Sequence, residues 1–183
     1  MKLRLKLLLL VLGLQAAWML GTTWVQEKLL RHGKVVLLET RLVDSRDRDL
    51  LRNNYLILNY QISDVPLELF TPARTNAPGA GQAIYVALQP QGSFYEVAQA
   101  STKLFPPTTD QVLLKGRRAK RRNKDNSVHI EYGLERYYVG ENTANPRGKI
   151  TVQAAVAASG RGLIRQVFVD GQPYAEALRA GRQ

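Results

Sequence analysis

A chain of 183 residues, 45% hydrophobic and 22% charged, is long enough for one folded domain of about 130 to 150 residues plus a membrane anchor. It contains no cysteine, which excludes disulfides and thiolate metal sites. The net charge of +11 is concentrated in one short tract, Lys115, Arg117, Arg118, Lys120, Arg121, Arg122 and Lys124; the remainder is only mildly basic.

Lys2, Arg4 and Lys6 open the chain, and the nineteen residues from Leu7 to Val25 carry no charge and include seven leucines. At about 1.5 Å per residue the stretch spans roughly 28 Å, close to the ~30 Å hydrocarbon core, and leucines at about −0.5 kcal/mol each outweigh Gln15. It reads as an uncleaved membrane helix. The rival, a cleaved signal peptide with its apolar core at Leu7 to Leu14, lacks a small-x-small cleavage site. Trp24 falls at headgroup level, Arg31 and His32 occupy the last helical turn, and Gly33 suits the position after it. Basic residues flank both ends, so the positive-inside signal is weak; the short basic start favours a cytoplasmic N-terminus, with the domain outside the cytoplasm on an inner or cytoplasmic membrane.

Residues 35 to 43 and 55 to 60 both alternate as strands, and the charged stretch from Asp44 to Asp49 between them has turn chemistry, so the two runs are expected to pair. In SDVPLELF, Asp64 is placed to cap one short helical turn starting near Pro66. Residues 71 to 82 hold two prolines and two glycines with little apolar content and read as a mobile loop. AIYVALQP and FYEVAQASTKLF, separated by a turn at PQGS, form a β-hairpin. QVLLKG is a short strand broken by the basic tract, and SVHIEYGLERYYV is a long strand split at Gly133. GKITVQAAVAA and GLIRQVFVDG are the closing strands, and the tail from Pro173 to Gln183 is expected to fray. The expected fold is therefore all-β, an antiparallel sandwich or partly open barrel of about 7 to 8 strands behind one transmembrane helix. The boundaries are an anchor at 1–33, a β-domain at 34–172 and a tail at 173–183.

The stretch from Leu38 to Tyr60 carries Leu-Glu-Thr, Val-Asp, an Arg-Asp step, Leu-Arg and the octet NNYLILNY. With IYVALQP, VLLKGR, YGLERYYV and VDG further on, it resembles the GDYXXLXY family of membrane-anchored bacterial proteins over most of residues 33 to 171. Tyr55, Leu58 and Tyr60 match the eponymous octet, while Asn53 and Asn54 stand where the family has Gly and Asp. Asn tolerates the positive φ that a Gly supplies at such a turn, whereas Asn54 loses an ionised carboxylate. The resemblance implies an anchored protein that accompanies a multi-pass membrane protein; it implies no activity.

Signal peptidases of the Ser–Lys type also join an anchor to a β-rich domain, which directs attention to Ser45 with Lys103 or Lys115 as base; such a lysine must be desolvated, and Ser45 sits in a charged turn. His129, Glu131 and Glu135 invite a metal reading, but with two histidines in the chain they make no complete ligand set. No catalytic residue, metal site or cofactor is assigned. Tyr132, Glu135, Arg136, Tyr137 and Tyr138 are candidates for a partner surface, although strand aromatics more often pack in a core. The tract from Lys115 to Lys124, with neither acid nor aromatic, reads as a solvated, self-repelling hairpin loop that cannot be core, suited to anionic lipid or a partner, with nucleic acid the least favoured. The leading expectation is a non-enzymatic anchored β-domain that docks on or modulates a multi-pass membrane partner.

Overall fold

The protein is described by a computed structural model covering residues 2–40, 51–52, 55–73, 77–120, 126–140 and 148–180. The first helix, α1 (Lys2–His32), is long and apolar enough to cross a membrane. Its described apolar side chains, from Leu7 to Trp24, are exposed. Gly33 alone separates it from β1 (Lys34–Glu39).

Among the described residues twelve strands follow, in three antiparallel sheets. One has the order β1-β10-β11-β12, with β10 (Ile150–Val156), β11 (Gly162–Val169) and β12 (Gln172–Pro173). A second is β2-β3-β9, formed by Leu51–Arg52, Tyr55–Ile57 and Arg136–Tyr138. The third is β4-β8-β7-β5-β6, formed by Asp64–Pro66, Ser127–Glu131, Val112–Arg118, Ala83–Gln91 and Phe94–Ser101. β1 also lies along β6, so the sheets curl round a single core as a partly open barrel. The hairpins β5–β6 and β10–β11 form as expected. Each has a register shift, at Ala87/Leu88 and Gln153/Ala154, which bends the sheet. There, three consecutive residues are buried where a flat strand would bury every second one: Val86 to Leu88, and Ala154 to Val156.

Val36, Leu38, Leu56, Leu58, Ile84, Leu114 and Ile130 are essentially inaccessible and fill the barrel; each buried side chain of this size stabilises by roughly 1.5–3 kcal/mol. Over the described residues the alternation of both early runs is borne out, with Val36, Leu38 and Thr40 inward from the first and Leu56, Leu58 and Tyr60 from the second; residues 41–43 of the first run, and the charged turn from Asp44 to Asp49, lie outside the described residues. The two runs do not form the expected pair, however. β1 bonds to β10 and β3 to β2 and β9, and among the described residues they meet at one bridge, Thr40 to Tyr60.

Other local expectations are corrected. A 3-10 turn forms at Leu67–Leu69, but Asp64 does not cap it; Asp64 lies in β4, where its carboxylate meets His129 of β8 at 2.5 Å. In the stretch read as a mobile loop, Pro78 is buried and Ala77 packs on the core. The tail does not fray at Pro173, because β12 pairs with β11 and α2 (Tyr174–Ala180) follows. Tyr174 and Ala177, three apart on one helical face, pack against the core.

Candidate functional site

The octet and the YGLERYYV segment are joined into one unit. β3 and β9 pair Tyr55 with Tyr138, Leu56 with Tyr137 and Ile57 with Arg136. Just beyond, the amide of Leu58 donates to the carbonyl of Glu135 at 2.9 Å, and the hydroxyl of Tyr60 donates to the carbonyl of Leu134 at 2.7 Å. Gly133, at φ +79°, turns the chain out of β8 and towards β9, so the expected split moves the strand from one sheet to another. The carboxylate of Glu135 holds this turn by accepting the amides of Tyr132 at 2.5 Å and Gly133 at 2.9 Å. Asn53 and Asn54, between the paired residues Arg52 and Tyr55, lie outside the described residues.

Burial divides the partner-surface candidates. Tyr132 is buried and its hydroxyl donates to the carbonyl of Ile62 at 2.7 Å, so it belongs to the core and is removed from the surface. Tyr137 is half-buried with its ring edge-on to Tyr174 at 5.9 Å. Burial, and then the negative charge of Glu135, push the phenols of Tyr60 and Tyr132 well above the usual tyrosine range. Arg136 is exposed, with its guanidinium 5.3 Å from the centre of the Tyr55 ring. Tyr138, 73% exposed, lies 5.9 Å from Tyr55 on the other side of the strand pairing. Exposed Arg136 and Tyr138, with the half-buried Tyr55 beside them, thus form an aromatic and cationic surface on octet and YGLERYYV residues.

The basic tract is not one solvated loop. β7 continues through Lys115, Gly116, Arg117 and Arg118, with Arg117 opposite Glu131 and Arg118 opposite Ile130 on β8. Gly116 and Ala119 are buried, against the expectation that nothing here is core. Small residues between the cations let the backbone turn inward: a Cβ on Gly116 would strike the Ile130 side chain and come within 2.9 Å of the Glu131 carbonyl oxygen. Lys115, Arg117 and Lys120 are exposed, Arg118 is half-buried with its Nε buried and unpaired among the described residues, and Arg121, Arg122 and Lys124 lie outside the described residues.

A groove of about 530 Å³ opens beside these cations, lined by Lys115, Arg117, Glu131, Glu135, Ser159 and Arg161, with Gly116, Gly133 and Gly162 among its walls. Arg161 and Ser159 come from the β10–β11 turn, read only as a connection from sequence; the cation in ASGRG was the available signal. Ser45 lies outside the described residues, and Lys103 and Lys115 are exposed, so neither has the desolvation a neutral lysine base requires. His129 is engaged by Asp64, and no cluster of three potential metal ligands occurs among the described residues.

These features define a class: a β-barrel domain carried directly behind an apolar N-terminal helix. Residues 15–167 match the family model described as GDYXXLXY protein, and the chain belongs to that family. Comparison with curated proteins and with solved structures returns no match.

Proposed function

We propose that α1 anchors this protein in an inner or cytoplasmic membrane with the barrel outside the cytoplasm. There the domain acts without catalysis, docking on or modulating a multi-pass membrane partner through Tyr55, Arg136 and Tyr138. The observation that supports this most is the exposure of α1: the described apolar side chains from Leu7 to Trp24 have no covering protein, and a bilayer satisfies them. The candidate docking residues are a pair of tyrosines with an arginine, types enriched where protein surfaces bind. They are borne by octet and YGLERYYV positions, the segments that carry the family resemblance.

The test is capture of the full chain from detergent-solubilised membranes, beside a Tyr138→Ser, Arg136→Gln variant. The expected outcome is a multi-pass protein recovered with the native chain and lost with the variant, while both melt at the same temperature. Equal recovery with both would move docking elsewhere. Protease treatment of spheroplasts should remove the barrel and leave α1; a barrel cut only after lysis would reverse the orientation.

A further inference from the structure

The groove beside the basic tract lies at the end of the barrel where α1 leaves it. Lys34, two residues after α1, pairs with Val156, and Val156 pairs with Gly162, so the starts of β1 and β11 and the end of β10 form one row. The end of α1 comes close to β10 and β11. The turn from Ala157 to Arg161 therefore projects past that row on the helix side, and it is locked onto β7 by a bond from the Lys115 amide to the Gly160 carbonyl at 2.8 Å. The glycine at 160 permits this closure, with φ +82° and a hypothetical Cβ only 3.1 Å from the Cβ of Lys115.

Three exposed cations face the groove, Lys115, Arg117 and Arg161, and none is ion-paired among the described residues. The Lys115 ammonium stands 5.6 Å from the centre of the Tyr85 ring. Of the two carboxylates in the lining, Glu135 already accepts two backbone amides, and Glu131 lies opposite Arg117 in register. Three positive and two negative groups leave one net positive charge, which suits a singly charged phosphodiester better than a polyphosphate.

We infer that this groove is a headgroup site for an anionic phospholipid of the leaflet that receives the C-terminal end of α1, its phosphate seated among Lys115, Arg117 and Arg161. The inference rests on the proposed role of α1 as a membrane anchor. A lipid held there would brace the barrel against the bilayer surface, and the cationic tract would first draw it in over the ~8 Å range of the screened field.

The experiment uses the full chain in nanodiscs of phosphatidylcholine, with or without phosphatidylglycerol carrying a photoreactive headgroup, and mass mapping of the adducts. A photoreactive phosphatidylcholine analogue serves as the neutral control. Labelling by the glycerol lipid should centre on residues 113–117 and 159–162 and fall roughly thirtyfold in an Arg117→Gln, Arg161→Gln variant, whose unchanged melting temperature excludes misfolding. Equal labelling by the two lipids, or labelling that survives the substitutions, overturns the site. Loss of labelling when soluble glycerol phosphate is present during irradiation would make the groove a general phosphate site and overturn the lipid assignment. Flotation separates the two readings: a chain that floats with the discs but is unlabelled in the groove sinks this inference alone, whereas one that fails to float sinks the anchor as well.

Discussion

Tyr60 donates its hydroxyl to the carbonyl of Leu134, 74 residues further along the chain, and both residues are essentially inaccessible to water. The bond fastens the last tyrosine of the octet to the turn that feeds YGLERYYV. Tyr60→Phe should therefore leave a buried carbonyl with one partner fewer and destabilise the protein by about 1–3 kcal/mol. Tyr174 supplies the contrast, because its hydroxyl is buried with no partner among the described residues. Tyr174→Phe is expected to be neutral or slightly stabilising. Urea unfolding of the full chain in mild detergent measures both, and equal effects would refute the assigned difference.

Stability should also fall in alkali for an identifiable reason. The phenols of Tyr60 and Tyr132 have raised pKa values in the folded state, chiefly through burial, whereas in the unfolded chain they ionise near pH 10. A raised folded value means that the unfolded state loses its protons first as pH rises. The contribution is thus complete below about pH 10 and is lost progressively above it, at about 1.4 kcal/mol per pH unit for each residue until its folded pKa is reached. A Tyr60→Phe, Tyr132→Phe variant should show a shallower decline between pH 9 and about pH 11. Parallel curves for the two proteins would show that other groups govern the alkaline limb.

Two glycines should respond differently to the same methyl group. At Gly116 the added Cβ meets Ile130 and the backbone oxygen of Glu131, and paired strands cannot both give way, so Gly116→Ala should cost about 3 kcal/mol or more. At Gly133 the surrounding space is open and the cost is the left-handed backbone alone, about 1–2 kcal/mol. Thermal melts rank the two, and the reverse order would mean that β7 and β8 are less closely held.

The C-terminal helix is expected to matter to the barrel. Tyr174→Ala removes a buried ring from the core and its edge contact with Tyr137, for an expected loss of about 3 kcal/mol. Truncation after Gly171 should do at least as much and make Tyr137 more reactive to iodination. An unchanged melt after truncation would return the tail to the frayed state expected from its composition.

The parts of this fold legible in the sequence were those with a repeating local signal. Alternation located β1, β3 and the two long hairpins, and the uncharged run located α1, because burial on one face or exposure all round leaves a period in the residues. Strands β2, β4 and β12, two or three residues long, are too short for a two-residue period to register. The pairing of β1 with β10 rather than with the next run depends on contacts more than a hundred residues apart, to which local turn chemistry is blind. The same limit applies to the site. Charge density located the cations of the basic tract but could not show that Gly116 and Ala119 face the core between them, nor that Arg161 arrives from a distant turn to complete the groove. Tyr132 and Tyr138 look alike in sequence; the turn at Gly133 and the change of sheet bury one and expose the other.

Gly33 is the whole of the joint between α1 and β1. A single residue extends at most about 3.6 Å, so the barrel has no tether on which to reach away from the helix. With α1 held in a bilayer, the domain would stay at the membrane surface, a float fixed to its keel.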